Sequence, residues 1–528
     1  MRPDLILVNA NVRTLDSSRP RAQALVFRGG EIIYVGDDRG ALAYRTHLTE
    51  LIDAHGQLVL PGLIDSHLHF CGWAQGLDRV NLEGCRSLDE AVARVAARIP
   101  LTRPGEIIHG WGWNHLDWNT PVFPDRRSLD AVAPNTPVFL TRKDGHSAWV
   151  NSAMMKQAGI TRDTPNPEGG RLERDADGEP NGLIRENAME LLGKGIGQSD
   201  EEIPLDALKR AIAYAHRAGL TGVHSIEGPN ALRAWQTLHT RGEMDLRVVH
   251  AIPDTHLDHA LTLGIQRGLG DEWLRLQAVK IFADGSLGSQ TAEMFEPFTG
   301  SDKRGMALTD SKTMLELARK AARGGIDIWT HAIGDQAISR TLSVFETLRA
   351  EGFTNVILRI EHVQHLAASD IPRFKAANVI ASVQPIHQTS DMRMVDALLG
   401  PTRARYTYVF NSLRQAGATL AFGSDCPVEG LEPLRGIHAA VTRQNAESEP
   451  AGGWVPEERL SVQAAVEGFT TGAAASVGDQ HRAGTLSVGK RADAVILSQD
   501  IFGIPPREIL NTQVSYTIVG GKVVYHSR

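Results

Sequence analysis

Cysteine is scarce in this chain: three residues in 528, Cys71, Cys85 and Cys426, none in a Cys-x-x-Cys pair. A disulfide framework is therefore not expected, and the composition suits a reducing cytoplasm. No apolar run approaches the roughly 20 residues that span a bilayer. Met1-Arg2-Pro3-Asp4-Leu5 has neither the basic segment nor the apolar stretch of a signal peptide, so a cytoplasmic protein without a membrane partner is expected. Charge of one sign is also lacking. A formal charge of −7 over this length makes no electrostatic case for nucleic acid. No Gly-x-Gly-x-x-Gly follows an early strand-like run, which leaves a dinucleotide fold little support.

What is present is an ordinary globular composition, 42% hydrophobic and 22% charged, in a chain long enough for two or three domains. The two ends share a texture of short strand-like runs: 4–8, 24–28 and 31–35 near the start, and 493–497, 514–519 and 522–525 near the end, with a Gly520-Gly521 turn. This predicts a small β-sandwich domain built from residues 1–57 and 481–528. Between them, strand-like and helix-like runs alternate as in parallel βα units. Strands are expected at 58–64, 221–226, 246–251, 276–282, 326–330, 356–360, 379–383 and 419–423. Eight such strands predict an α/β fold, a (β/α)8 TIM barrel over 58–480, with an open doubly wound sheet as the competing architecture. The long gap after the first strand, about 72–215, reads as an inserted subdomain with strands of its own at 106–111 and 137–141. Insertions at this end of a barrel commonly shape the substrate pocket.

The chemistry gathers at strand ends. Leu60-Pro61-Gly62-Leu63-Ile64-Asp65-Ser66-His67-Leu68-His69 finishes an apolar run with two histidines at i and i+2. Side chains two apart on a strand project the same way, as a shared metal ion requires. Lys280 interrupts the apolar Val279-Lys280-Ile281-Phe282, where a buried cation is costly. Carboxylation to a metal-bridging carbamate relieves that cost, and an ion pair with Asp284 or another carboxylate does so equally. His331, His362 and Asp425 end the fifth, sixth and eighth runs. Each alone is as easily a packed histidine or a helix cap. Together, at equivalent positions on different strands, they supply one metal site.

The set His67, His69, Lys280, His331, His362, Asp425 resembles the binuclear constellation of the amidohydrolase superfamily. The stretches 279–289 (Val-Lys-Ile-Phe-Ala-Asp-Gly-Ser-Leu-Gly-Ser), 331–337 (His-Ala-Ile-Gly-Asp-Gln-Ala) and 144–152 (Asp-Gly-His-Ser-Ala-Trp-Val-Asn-Ser) are similar to amidohydrolase family 3, the branch that includes N-substituted formamide deformylase. The resemblance runs over nearly the whole chain. It implies one or two divalent ions, usually zinc, divided among His67, His69 and His331 or His362, with carboxylated Lys280 as the bridge and Asp425 on the more buried ion. It implies hydrolysis of a non-peptide C–N bond in a small-molecule amide by metal-activated hydroxide, with Asp425 relaying the proton to the departing amine. A homodimer is the oligomeric state common among relatives.

Other candidates follow. His146, inside the 144–152 stretch, is expected to hydrogen-bond the substrate or its oxyanion, with loop packing as its alternative. Trp111 and Trp113, with His115, line an apolar substrate pocket or belong to the core. Arg185 touches substrate or makes a surface ion pair. His224, His250 and Cys426 read as packing. Hydrolytic deamination is disfavoured because Gly334, not glutamate, lies three residues after His331. An esterase, lactonase or phosphotriesterase would use the same centre, and a non-catalytic scaffold would have no chemical need of all six ligands.

Overall fold

The computed structural model describes residues 3–77, 79–102, 105–142, 147–167, 170–193, 203–288 and 290–527. Eight parallel strands follow one another in chain order around a barrel: Leu63–Leu68, Leu220–Ile226, Arg247–Pro253, Leu274–Phe282, Asp327–Ala332, Leu358–His362, Val379–Val383 and Thr419–Phe422. They are called strands one to eight below. Nearly all their residues are buried, as expected of a parallel sheet covered by helices. Ser311–Arg323 and Asp335–Ala350 are such covering helices. The first begins at Asp310, whose carboxylate accepts the N–H groups of Lys312 and Thr313, and its last turn carries Lys320 and Arg323.

The barrel closes where strand eight returns to strand one. Asp425 N–H donates to the His67 carbonyl at 2.7 Å and His69 N–H to the Cys426 carbonyl at 2.8 Å. Gly423 makes the approach possible, since a Cβ there would lie 2.6 Å from the His67 nitrogen and 2.8 Å from Asp65 Oδ1.

Both chain ends contribute to two further sheets. One has four strands in the order Glu31–Gly36, Ala24–Arg28, Leu5–Val8, Glu50–Asp53. The other has six, in the order Lys522–His526, Val514–Val519, Ala494–Leu497, Leu58–Pro61, Asn11–Arg13, Arg21–Ala22. Leu5, Leu7, Leu25 and Phe27 of the first share one apolar core with Val59, Ile496 and Ile518 of the second, giving a β-sandwich. The run 58–64, expected as one barrel strand, therefore divides. Residues 58–61 pair with 494–497 in the sandwich, and the barrel strand starts at Leu63. Gly62 is the break. Its N–H donates to the Asp493 carbonyl at 3.0 Å, and a Cβ there would meet the Thr221 side chain at 2.3 Å.

Residues 74–207 form a separate compact unit. Its six-stranded sheet runs Gly170–Arg174, Pro180–Glu186, Ser147–Val150, Val138–Arg142, Ile108–Trp113, Val80–Asn81. Two of these overlap the strands expected at 106–111 and 137–141. The pair at 170–174 and 180–186 arises in a stretch whose acidic and glycine-rich composition carries little strand signal.

Candidate metal centre

Each sequence-predicted ligand of the barrel sits at the carboxyl end of a strand, and the local backbone explains how the side chains converge. On strand one, Asp65 is fully buried. It accepts the His67 N–H at 3.0 Å and the Ser424 N–H at 3.1 Å, tying strand one to the loop after strand eight. Burial raises its pKa to about 7. On strand six, Glu361 and His362 are adjacent, yet both turn toward His67. Glu361 accepts its ring N–H, and the His362 ring lies 4.7 Å from the His67 ring between centroids. Regular strand geometry would send neighbours to opposite faces. The left-handed backbone of His362, φ 75°, breaks the alternation. Asp425 is also left-handed, φ 60°. Such conformations in non-glycine residues are costly and gather at functional sites.

The outer ring nitrogen of each histidine is anchored, which orients the inner one. His67 Nδ1–H donates to Glu361 Oε2 at 2.7 Å and His69 Nδ1–H to the Ile226 carbonyl at 2.9 Å. Their Nε2 atoms then face Asp425 Oδ1, at 3.5 and 3.3 Å. His362 Nδ1–H donates to Gln384 Oε1 at 2.9 Å. His331 is turned the other way: its Nε2–H donates to the Gly285 carbonyl at 3.0 Å, and its ring packs 4.5 Å from that of His362. Anchoring of this kind fixes the tautomer of a metal-ligating histidine.

Behind the ring of candidate ligands lies a buried charge cluster. Arg359 and Glu361 are both inaccessible and pair through two hydrogen bonds, at 2.9 and 3.0 Å. Arg359 also donates to the Ser66 carbonyl, to Ser382 and Ser476, and to His224 Nδ1, and its guanidinium stacks on Trp329 at 3.7 Å. His224 is thus a packed acceptor. Burial, with the Lys280 charge adding to it, lowers the pKa of His67 to about 4 and that of His331 to about 3, so these rings are neutral donors of lone pairs near neutral pH.

Lys280 is 2% exposed, and burial brings its pKa down to about 8. The ion pair with Asp284 is not what the structure shows. Asp284 instead accepts backbone N–H groups from Glu293, Ile333 and Gly334 at 2.8–3.0 Å, which binds the 284–285 loop to the 331–335 loop. Among the described residues no carboxylate oxygen lies within ion-pair distance of Lys280 Nζ, which rests 5.1 Å from the Phe282 ring centroid.

Among the described residues, two groups have the spacing to hold a cation: His67, His69 and Asp425, and His362, His387 and Asp425. The first group fits well, because His67 Nε2 and Asp425 Oδ1 are buried without a hydrogen-bond partner, an arrangement that is costly unless something binds there. His387 was not singled out by the sequence reading, nor were Arg359, Glu361, Gln384 and Asp65. His387 follows strand seven in Gln384-Pro385-Ile386-His387. The rule that barrel sites occupy strand ends would have pointed to it.

The remaining candidates lie in the 74–207 unit. Trp113 is fully buried among Trp118, Trp149 and Leu140, its indole N–H donating to the Leu140 carbonyl at 2.9 Å, so it has no exposed face. Trp111 is 42% exposed. Arg185 pairs with Glu173 at 2.8 Å and lies over the Phe123 ring. His115 stacks on that same ring. His146 lies outside the described residues. Cys426 is buried and free, and burial raises its thiol pKa.

A parallel barrel whose mouth gathers histidines and an aspartate at ligand spacing defines a candidate metal centre. The Amidohydrolase family profile matches residues 50–525. The chain is 34% identical to Protein LONG AFTER FAR-RED 3 of Arabidopsis thaliana, over 99% of this chain and 91% of that one. It is 27% identical to N-substituted formamide deformylase of Arthrobacter pascens, over 99% and 98%. An uncharacterized metal-dependent hydrolase from Pyrococcus furiosus superposes with a TM-score of 0.78 at 30% identity, covering 94% of this chain and 99% of that one. The chain belongs to the amidohydrolase family. It is a hydrolase of the metal-dependent kind that acts on carbon–nitrogen bonds.

Proposed function

We propose that this protein hydrolyses the C–N bond of a small-molecule N-substituted amide, with a formamide as the first candidate, at a zinc centre held by His67, His69, Lys280, His331, His362 and Asp425. The observation that carries the reading is the convergence of the anchored imidazoles of His67 and His69 on Asp425, with His67 Nε2 and Asp425 Oδ1 buried and unpartnered. The deformylase relative supports the choice of a formamide.

A bound divalent ion supplies Lewis acidity, polarising a carbonyl and lowering the pKa of water to about 7. The protein's own groups do the rest. Asp425 accepts the proton of the attacking water and hands it to the nitrogen of the departing amine, whose expulsion is otherwise the hard step. Glu361 and the Ile226 carbonyl hold His67 and His69 in the tautomer that leaves Nε2 available. Lys280, buried, lowered to about 8 and without a carboxylate partner among the described residues, gives up its proton more readily than a free lysine, and the neutral amine so formed adds carbon dioxide with release of a second proton as the carbamate forms. The substrate is a free small molecule in the cytoplasm, and the protein acts as a homodimer without nucleic acid or membrane. Three buried free cysteines are in keeping with that compartment.

The test is metal content of the purified protein beside Lys280→Ala and Asp425→Asn, followed by turnover of N-formyl and N-acyl amines. About two ions per chain in the parent, fewer in the lysine variant, and a 10²–10⁴-fold loss of kcat in Asp425→Asn are expected. One ion that persists without Lys280 removes the bridge. A parent that binds no metal removes the reading.

A further inference from the structure

Among the described residues, His387 is the imidazole beside Asp425 that the ligand set leaves unused. It is 6% exposed and sits in the first turn of the helix Pro385–Ala404, which follows strand seven and is interrupted at Gly400. Its Nδ1 faces Gln364 Nε2 at 3.5 Å. An amide nitrogen can only donate, so Nδ1 is the acceptor and the ring proton resides on Nε2. That Nε2 is buried, has no hydrogen-bond partner, and lies 3.8 Å from Asp425 Oδ2. His387 therefore presents an unsatisfied N–H beside the group proposed to move the proton.

The spacing of His362, His387 and Asp425 would also admit a cation. One feature argues against it. The His387 nitrogen that faces Asp425 carries a proton and has no lone pair to give. A protonated ring nitrogen is a hydrogen-bond donor, and an amide undergoing attack develops negative charge on its carbonyl oxygen.

We infer that His387 Nε2–H is the donor that binds this oxygen, and so is a catalytic residue of the centre. The inference rests on the reading above that a carbonyl substrate enters the barrel mouth. It assigns to the described strand-seven end the task that the sequence suggested for His146. Fixed donors aimed at a developing oxyanion act in a buried site where they need no reorganisation.

The experiment uses the zinc-loaded full chain with His387→Ala and His387→Gln, the latter keeping a side-chain N–H. Four quantities are read: metal per chain, affinity for methylphosphonate as a tetrahedral oxyanion mimic, and kcat and KM on N-butylformamide. His387→Ala is expected to keep the parent's metal content, to bind methylphosphonate at least about tenfold more weakly, and to lose about 10²–10³ in kcat with little change in KM. His387→Gln recovers part of both. Loss of metal in His387→Ala would make the residue a ligand and overturn the inference. Unchanged methylphosphonate affinity would make it a packing residue, and failure of the parent to bind methylphosphonate counts against it equally. If methylphosphonate binding depends on His387 while no amide is hydrolysed, the substrate reading falls and the oxyanion donor stands.

Discussion

The barrel mouth and the inserted unit both drew attention in the sequence through histidines and aromatics, and the structure treats them in opposite ways. At the mouth, polar atoms are buried and left open: His67 Nε2, Asp425 Oδ1 and His387 Nε2. In the inserted unit, Trp113 and Trp149 are buried with their N–H groups donated to the carbonyls of Leu140 and Asp125. Asn151 likewise gives its amide to the Ala133 and Thr136 carbonyls. An open polar atom does not by itself mark a site, since Trp118 Nε1 in the core of the inserted unit is also buried without a hydrogen-bond partner. What distinguishes the mouth is that several such atoms, from His67, His387 and Asp425, gather within a few ångströms of one carboxylate.

Three changes would break or sharpen that contrast. Glu361→Gln has the largest expected effect, because it replaces the charged anchor of His67 by a weaker neutral acceptor and leaves Arg359 buried without its counter-charge. Breaking such a pair costs about 3–5 kcal/mol, and losing the outer hydrogen bond of a metal-ligating histidine costs about 10–100-fold in metal affinity. Chemical denaturation together with zinc competition would measure both. A change in stability alone, with zinc affinity intact, would mean that Glu361 supports the barrel core and not the ligand. Next, Trp113→Ala should destabilise by about 3–5 kcal/mol, while Trp111→Ala, on an exposed ring, should change stability far less. Equal effects on the two midpoints would contradict the assignment of one to the core and the other to the surface.

The smallest effect concerns pH. Burial lowers the pKa of His250 to about 4 from its ordinary 6.5. Above 6.5 the ring is neutral in both folded and unfolded chains. Between 6.5 and about 4 only the unfolded chain takes up the proton, so this residue's stabilising effect is lost as pH falls through that window. Asp65 and Asp284, raised to about 7 by burial, act in the opposite sense over the carboxylate range. His250→Leu should therefore flatten the acid limb of the stability curve by up to about 1.4 kcal/mol per pH unit relative to the parent. An unaltered slope would show that His250 is not held neutral.

The sequence by itself determined the barrel and pointed to its candidate ligands because both are periodic signals. Apolar runs recur between amphipathic stretches, and a polar residue after an apolar run marks the strand's carboxyl end, so His67, His69, Lys280, His331, His362 and Asp425 could be named in advance. The β-sandwich was legible for the same reason, in matching short strands and turns at the two ends. Only the tertiary structure decided where one apolar run became two strands, because Gly62 is broken by the approach of Thr221 and by Asp493, residues distant in the chain. It alone decided that Glu361 and His362 face one way, since a positive φ overrides the period of two. It also decided that Trp113 is core and that His387 belongs to the centre. Those outcomes depend on which polar atoms find partners across the fold, and partnership over such distances leaves no local pattern in a sequence.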